Sequence, residues 1–139
     1  MSRNKRPHTV FFYGLFMDPD LLRQQGLHPS NPRLASLPGH QLVIGQRASL
    51  RPQAEAEVWG LVMELPATEL KQLYSEPSVR EYVPQWSVVN LAAGGQTDAV
   101  VYVLPEQLMA GSNPAYAKQL TQVATRLGLP AVYVKSIMP

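Results

Sequence analysis

Thr9-Val10-Phe11-Phe12-Tyr13-Gly14-Leu15-Phe16-Met17-Asp18-Pro19 is the stretch on which the reading of the chain turns. Its first five residues are β-branched or aromatic, which suits a buried strand, and the run stops at Gly14. Asp18 followed by Pro19 has the form of a helix N-cap with proline at the first helical position, so a helix through Arg23 is expected. A strand that turns at once into a capped helix can leave successive backbone N–H groups unpaired. Aimed into a cavity, such donors bind an anion without any basic side chain. The plainer alternative is a strand end followed by an ordinary turn.

Downstream, Pro29 to Pro32 reads as a loop, Gln41–Gly45 as a second strand, and Arg47–Pro52 as an extended segment leading into another loop. Glu57–Leu65 is the most strand-like run, apolar on both parities, with Gly60 where another group comes close. Pro66 opens a short helix, Ala67 to Leu73, with Leu70 and Leu73 on one face. Tyr82–Leu91 and Ala99–Leu104 read as strands joined by a hairpin at Gly94-Gly95. Asn113-Pro114 caps a last helix carrying Tyr116, Leu120, Val123 and Leu127 on one face, ended by Gly128 and Pro130. This order is α+β, with a mixed sheet or small barrel rather than an alternating βαβα wrap. A polar tail over residues 1–8 and a single domain over 9–139 are expected.

The 139 residues are 45% hydrophobic and 16% charged, a composition that closes a core and excludes a disordered chain. Twelve basic residues stand against ten acidic ones, and Arg3, Lys5 and Arg6 lie in the tail. The body is close to neutral and offers no basic face for a phosphate backbone, so nucleic acid is not an expected partner. Without cysteine there is no disulfide, thiolate metal site or cysteine nucleophile. His8, His28 and His40 are scattered and do not form a metal-ligand spacing. The first apolar stretch is too short for a secretory signal and no run approaches a membrane span, so a cytoplasmic protein without a membrane partner is expected. No nucleophile elbow or phosphate-cradling glycine loop is present.

Tyr13-Gly14-Leu15-Phe16 resembles the Tyr-Gly-Ser/Thr-Leu opening of the γ-glutamylcyclotransferase-like (AIG2-like) family. Val58-Trp59-Gly60-Leu61-Val62 is similar to that family's Val-Trp-Gly-x-Val/Leu strand, and Leu70–Leu73 to the stretch before its Leu-Asp-x-x-Glu-Gly catalytic segment. Tyr82 with Val88 and Val89, then Ala99 to Leu104, then Gly128-Leu129-Pro130-Ala131-Val132-Tyr133 resemble later family segments in the family's order. The resemblance implies a small mixed β-barrel with flanking helices and a pocket for a γ-glutamyl group. It implies a transferase reaction in which the substrate's α-amine closes on its own γ-carbonyl, forming 5-oxoproline and releasing an amine, with no metal or organic cofactor. Tyr13, Gly14, Leu15, Phe16 and Tyr82 would bind substrate, the backbone amines of Gly14, Leu15 and Phe16 holding its α-carboxylate.

The catalytic segment departs from the pattern. Counted from Leu73, Tyr74 stands where the family has Asp, Pro77 where it has the catalytic Glu, and Ser78 where it has Gly. Leu15 replaces the polar Ser/Thr. Glu76, one residue early, and Glu81, four late, are the candidate bases, with Glu76 favoured for its place after the helix. The alternatives are an inactive member that binds a small carboxylate-bearing ligand, and an interaction protein with a vestigial pocket.

Overall fold

The computed structural model describes residues 7–137. Five strands close into a barrel in the order β1-β3-β2-β4-β5: β1 Pro7–Phe12, β2 Ser30–Ile44, β3 Ala48–Pro66, β4 Val83–Leu91 and β5 Gln96–Val103. The sheet is mixed. β1 and β5 run parallel through Val10 and Val100, and the other pairings are antiparallel. Four helices flank it: α1 Pro19–Gln24, α2 Ala67–Leu73, α3 Pro114–Arg126 and α4 Ala131–Ile137. The barrel and flanking helices expected from the sequence are therefore present.

Strand alternation sorts the apolar residues into two cores. Phe11, Ala35, Leu37, Val58, Val62, Val89 and Val101 pack together inside the barrel. Val10, Phe12, Met63 and Val100 point the other way and are covered by Leu22, Leu70, Leu120, Ala124 and Val134 from all four helices. Gly60 sits where a Cβ would collide with the carbonyl oxygen of Phe12, so the close approach of β1 to β3 requires glycine there.

Several boundaries differ from expectation, each for a physical reason. The segment Pro29 to Pro32 is not a loop throughout: β2 begins at Ser30, and a register shift between Ser30 and Arg33 accommodates Asn31 at φ 53°. β3 is one 19-residue strand rather than two segments, because the excess residues after Pro52 bulge out opposite Gly39 while pairing resumes at Glu57. β1 starts at Pro7, inside the expected tail, and residues 1–6 of that tail lie outside the described residues. A second late helix, α4, follows the Gly128 stop, with Val134 and Ile137 buried. Tyr82 precedes β4 rather than opening it. No helix among the described residues is long and apolar enough to cross a membrane.

Candidate functional site

The buried Tyr13 directly follows β1, and the chain then bends through a 3-10 turn, Leu15–Met17. The Met17 N–H donates to the Gly14 carbonyl at 2.9 Å and the Asp18 N–H to the Leu15 carbonyl at 3.1 Å. Asp18 caps α1 as expected, its Oδ1 accepting the Asp20 N–H at 3.0 Å. The Leu15 N–H donates to the Tyr116 hydroxyl at 3.2 Å. No hydrogen bond from the Gly14 or Phe16 N–H is found among the described residues.

This turn forms one wall of a cavity of about 260 Å³. Tyr13, Gly14, Leu15, Phe16 and Tyr82 line it together with Tyr74, Tyr102, Tyr116, Arg47 and Ala48. Its members come from distant parts of the chain: Tyr116 from the first turn of α3, Tyr102 from the end of β5, Tyr74 from the residue after α2. A Cβ on Gly14 would stand 2.6 Å from the Tyr116 oxygen, so glycine at this turn is what lets the hydroxyl reach the Leu15 amide.

The tyrosines are tied in differently. The Tyr13 hydroxyl donates to the Tyr102 carbonyl at 2.7 Å, and the Tyr82 hydroxyl donates to the Ala48 carbonyl. The Tyr74 ring stacks on Tyr102 at 3.8 Å between centroids and 9° between planes. Phe16 meets Phe12 and Tyr74 edge to face, at 6.3 and 6.1 Å. Burial raises the phenol pKa of Tyr13, Tyr74, Tyr82, Tyr102 and Tyr116 above the ordinary value. All five stay protonated at neutral pH, so the phenols add no negative charge to the cavity.

The two candidate bases lie elsewhere. After α2 the chain forms a compact turn in which the Glu76 carbonyl accepts the N–H groups of Val79 and Arg80, at 3.0 and 2.9 Å. That turn sends the Glu76 side chain to the exposed surface, at a separate depression that shares only Phe16 and Ser78 with the cavity. Glu81 is also exposed, and its Oε1 accepts from Arg47 Nη1 at 2.8 Å. Neither carboxylate lines the cavity, so Glu76, favoured from the sequence as the base, does not stand where a base is needed. Among the described residues Arg47 is the one ionised side chain in the wall, and it donates a second, longer bond to the Ser78 carbonyl at 3.3 Å.

Sequence patterns do not single out Tyr74, Tyr102 or Tyr116 as cavity residues. The helical face of Tyr116 marks it as core, and the side chain is indeed half buried against the core while its hydroxyl reaches the turn. Among the described residues no three His, Asp or Glu side chains gather as a metal site would need.

The family model described as "Gamma-glutamyl cyclotransferase, AIG2-like" matches residues 10–123. A search of curated protein sequences returns no match. Among solved structures, an uncharacterized human protein superposes with a TM-score of 0.80 at 22% identity, over 96% of this chain and 87% of that one. A protein described as a gamma-glutamyl cyclotransferase gives 0.77 at 20% identity, over 94% and 86%. A yeast gamma-glutamyl cyclotransferase specific to glutathione gives 0.65 at 14% identity, over 96% and 94%. At these identities the structural likeness speaks for the fold, and the family match speaks for descent. The chain belongs to the gamma-glutamyl cyclotransferase, AIG2-like family.

Proposed function

We propose that the cavity binds a small carboxylate-bearing compound of the γ-glutamyl class and that the chain does so without a cyclotransferase's carboxylate base. One observation carries this reading: among the described residues the cavity wall holds a single ionised side chain, the cation Arg47, and no Asp or Glu. An anionic group entering a mostly apolar pocket needs donors, because an uncompensated buried charge is costly. The N–H groups of Gly14 and Phe16, which have no partner among the described residues, are with the Arg47 guanidinium donors suited to a carboxylate. A cyclotransferase also needs a base within reach of the α-ammonium. Glu76 is separated from the cavity by Phe16 and Ser78, and Glu81 is held at the rim by Arg47.

The Arg47–Glu81 contact favours one second reading. Because Arg47 lines the cavity, a substrate carboxylate that displaced Glu81 from it would free that side chain near the entrance. Glu81 would then take the proton from the α-amine as this closes on the γ-carbonyl, and return it to the departing amine. The experiment is to measure binding of γ-glutamyl compounds calorimetrically and 5-oxoproline release in parallel, with the wild type and with Glu76→Gln and Glu81→Gln. Saturable binding without 5-oxoproline supports the binder. Product whose rate falls about a hundredfold or more in Glu81→Gln, the scale of a general base, overturns it in favour of the cyclotransferase.

A further inference from the structure

The cavity's aromatic side chains form a connected run, Phe12 to Phe16 to Tyr74 to Tyr102, through two edge-to-face contacts and one stack. Leu15, Tyr74 and Ser78, which replace Ser/Thr, Asp and Gly of the family pattern, all line this same cavity. Polar positions have thus been exchanged mainly for apolar and aromatic surface at one place. Charge is as sparse as aromatic surface is abundant. With Arg47 engaged by one carboxylate, no second cation remains among the described wall residues for another.

We infer that the pocket selects, among γ-glutamyl or related carboxylate compounds, those whose amine portion carries an aromatic ring. The inference rests on the binding reading above and names its ligand class. A ring gains burial and edge or face contacts against Phe16 and Tyr74, a gain beyond that of buried area alone. An amine portion ending in a second carboxylate would be buried without a counterion. The volume of about 260 Å³ is just below the ~300 Å³ lower end of ordinary ligand pockets, which suits a glutamyl group and one ring rather than a longer peptide.

Three probes separate the contributions: L-γ-glutamylanilide carries a ring, L-γ-glutamylethylamide a small neutral group, and L-γ-glutamylglycine a second carboxylate. Titration calorimetry on the full chain should give the anilide about tenfold tighter binding than the ethylamide, with the glycine conjugate weakest. Tyr74→Ser should narrow the anilide-to-ethylamide ratio to about twofold, whereas Tyr74→Phe, which keeps the ring, should preserve it. Should Tyr74→Ser fail to fold, the wild-type ratio and the Tyr74→Phe variant still decide the matter. Equal affinity for all three probes, or tightest binding of the glycine conjugate, overturns the aromatic preference and leaves the binding reading standing. Binding of none of them overturns the reading itself and this inference with it.

Discussion

Arg47 Nη1 lies 2.8 Å from Glu81 Oε1, and the pair joins the residue before β3 to the turn before β4 at the mouth of the cavity. Both side chains are partly exposed, so solvent screens the attraction and the pair by itself adds little stability. Its consequence is local. The one cation that the described residues place in the cavity wall is already partnered by an acid of the same chain, and an incoming carboxylate must compete with Glu81 for it.

Arg47→Met should therefore weaken binding of a γ-glutamyl carboxylate by about tenfold or more, the scale of a lost hydrogen bond to a charged group. Glu81→Gln should tighten binding about two- to fivefold, since the competitor it removes is a partly exposed ion pair worth ~0.2–1 kcal/mol. Calorimetric titration of the two variants checks both signs. Weaker binding in Glu81→Gln would show that Glu81 contacts the ligand instead of competing with it.

Gly14→Ala brings a Cβ to 2.6 Å from the Tyr116 hydroxyl. Either the ring or the turn must move, at the ~1–3 kcal/mol typical of overpacking, and the Leu15 amide loses its acceptor. Chemical denaturation should show that loss, and ligand affinity should fall because the Gly14 and Phe16 donors shift with the turn. Adding Tyr116→Phe removes the clashing oxygen and should recover part of the stability. Strict additivity of the two substitutions would argue that they do not meet.

Asp18 and Pro19 announce α1, the β-branched and aromatic run Thr9–Tyr13 announces β1, and Gly60 announces a close approach; each signal is local in sequence. Local signals fail where tertiary pairing decides. β2 runs through Pro32 and Pro38 because register shifts flank both positions, which propensity alone does not foresee. α4 follows a helix stop so closely that Gly128 and Pro130 read as the end of structure rather than as a corner. At the site, the Tyr13–Phe16 wall is legible because it is contiguous. Tyr74, Tyr102 and Tyr116 reach it from three elements far apart in sequence. The orientation of Glu76 was decided by the Glu76–Arg80 turn, whose hydrogen bonds carry its side chain away from the cavity.

The five cavity tyrosines also set a pH limit on stability. Their folded-state pKa values lie above the ordinary 10.0, with burial the largest cause in each. Below about pH 10 folded and unfolded chains both keep these protons, and the contribution to stability is fully present. Above that, the unfolded chain releases protons that the folded chain retains, so stability falls as pH rises. Denaturation midpoints should be flat on this account up to about pH 10 and drop beyond it. Tyrosinate absorbance should develop in step with unfolding rather than before it. Early, reversible ionisation of all the tyrosines in the folded protein would contradict their burial.

Asp18 couples the cavity turn to the last long helix. Its Oδ1 caps α1 through the Asp20 N–H, while its Oδ2 accepts from Arg126 Nη2 at 2.5 Å, at the end of α3. The carboxylate is largely buried and the guanidinium half exposed, so its cost of removal lies mainly with the cap and with a buried oxygen's lost partners. Asp18→Ala removes both functions and should cost about 2 kcal/mol, read from urea denaturation. Asp18→Asn keeps a capping oxygen and gives up only the charge, so it should cost less than half as much. Arg126→Met leaves the cap intact and should be the mildest of the three. Because only Asp18 separates α1 from the 3-10 turn that carries Leu15 and Phe16, ligand affinity should follow the same order of loss. If Arg126→Met proves as damaging as Asp18→Ala, the ion pair rather than the cap holds this corner.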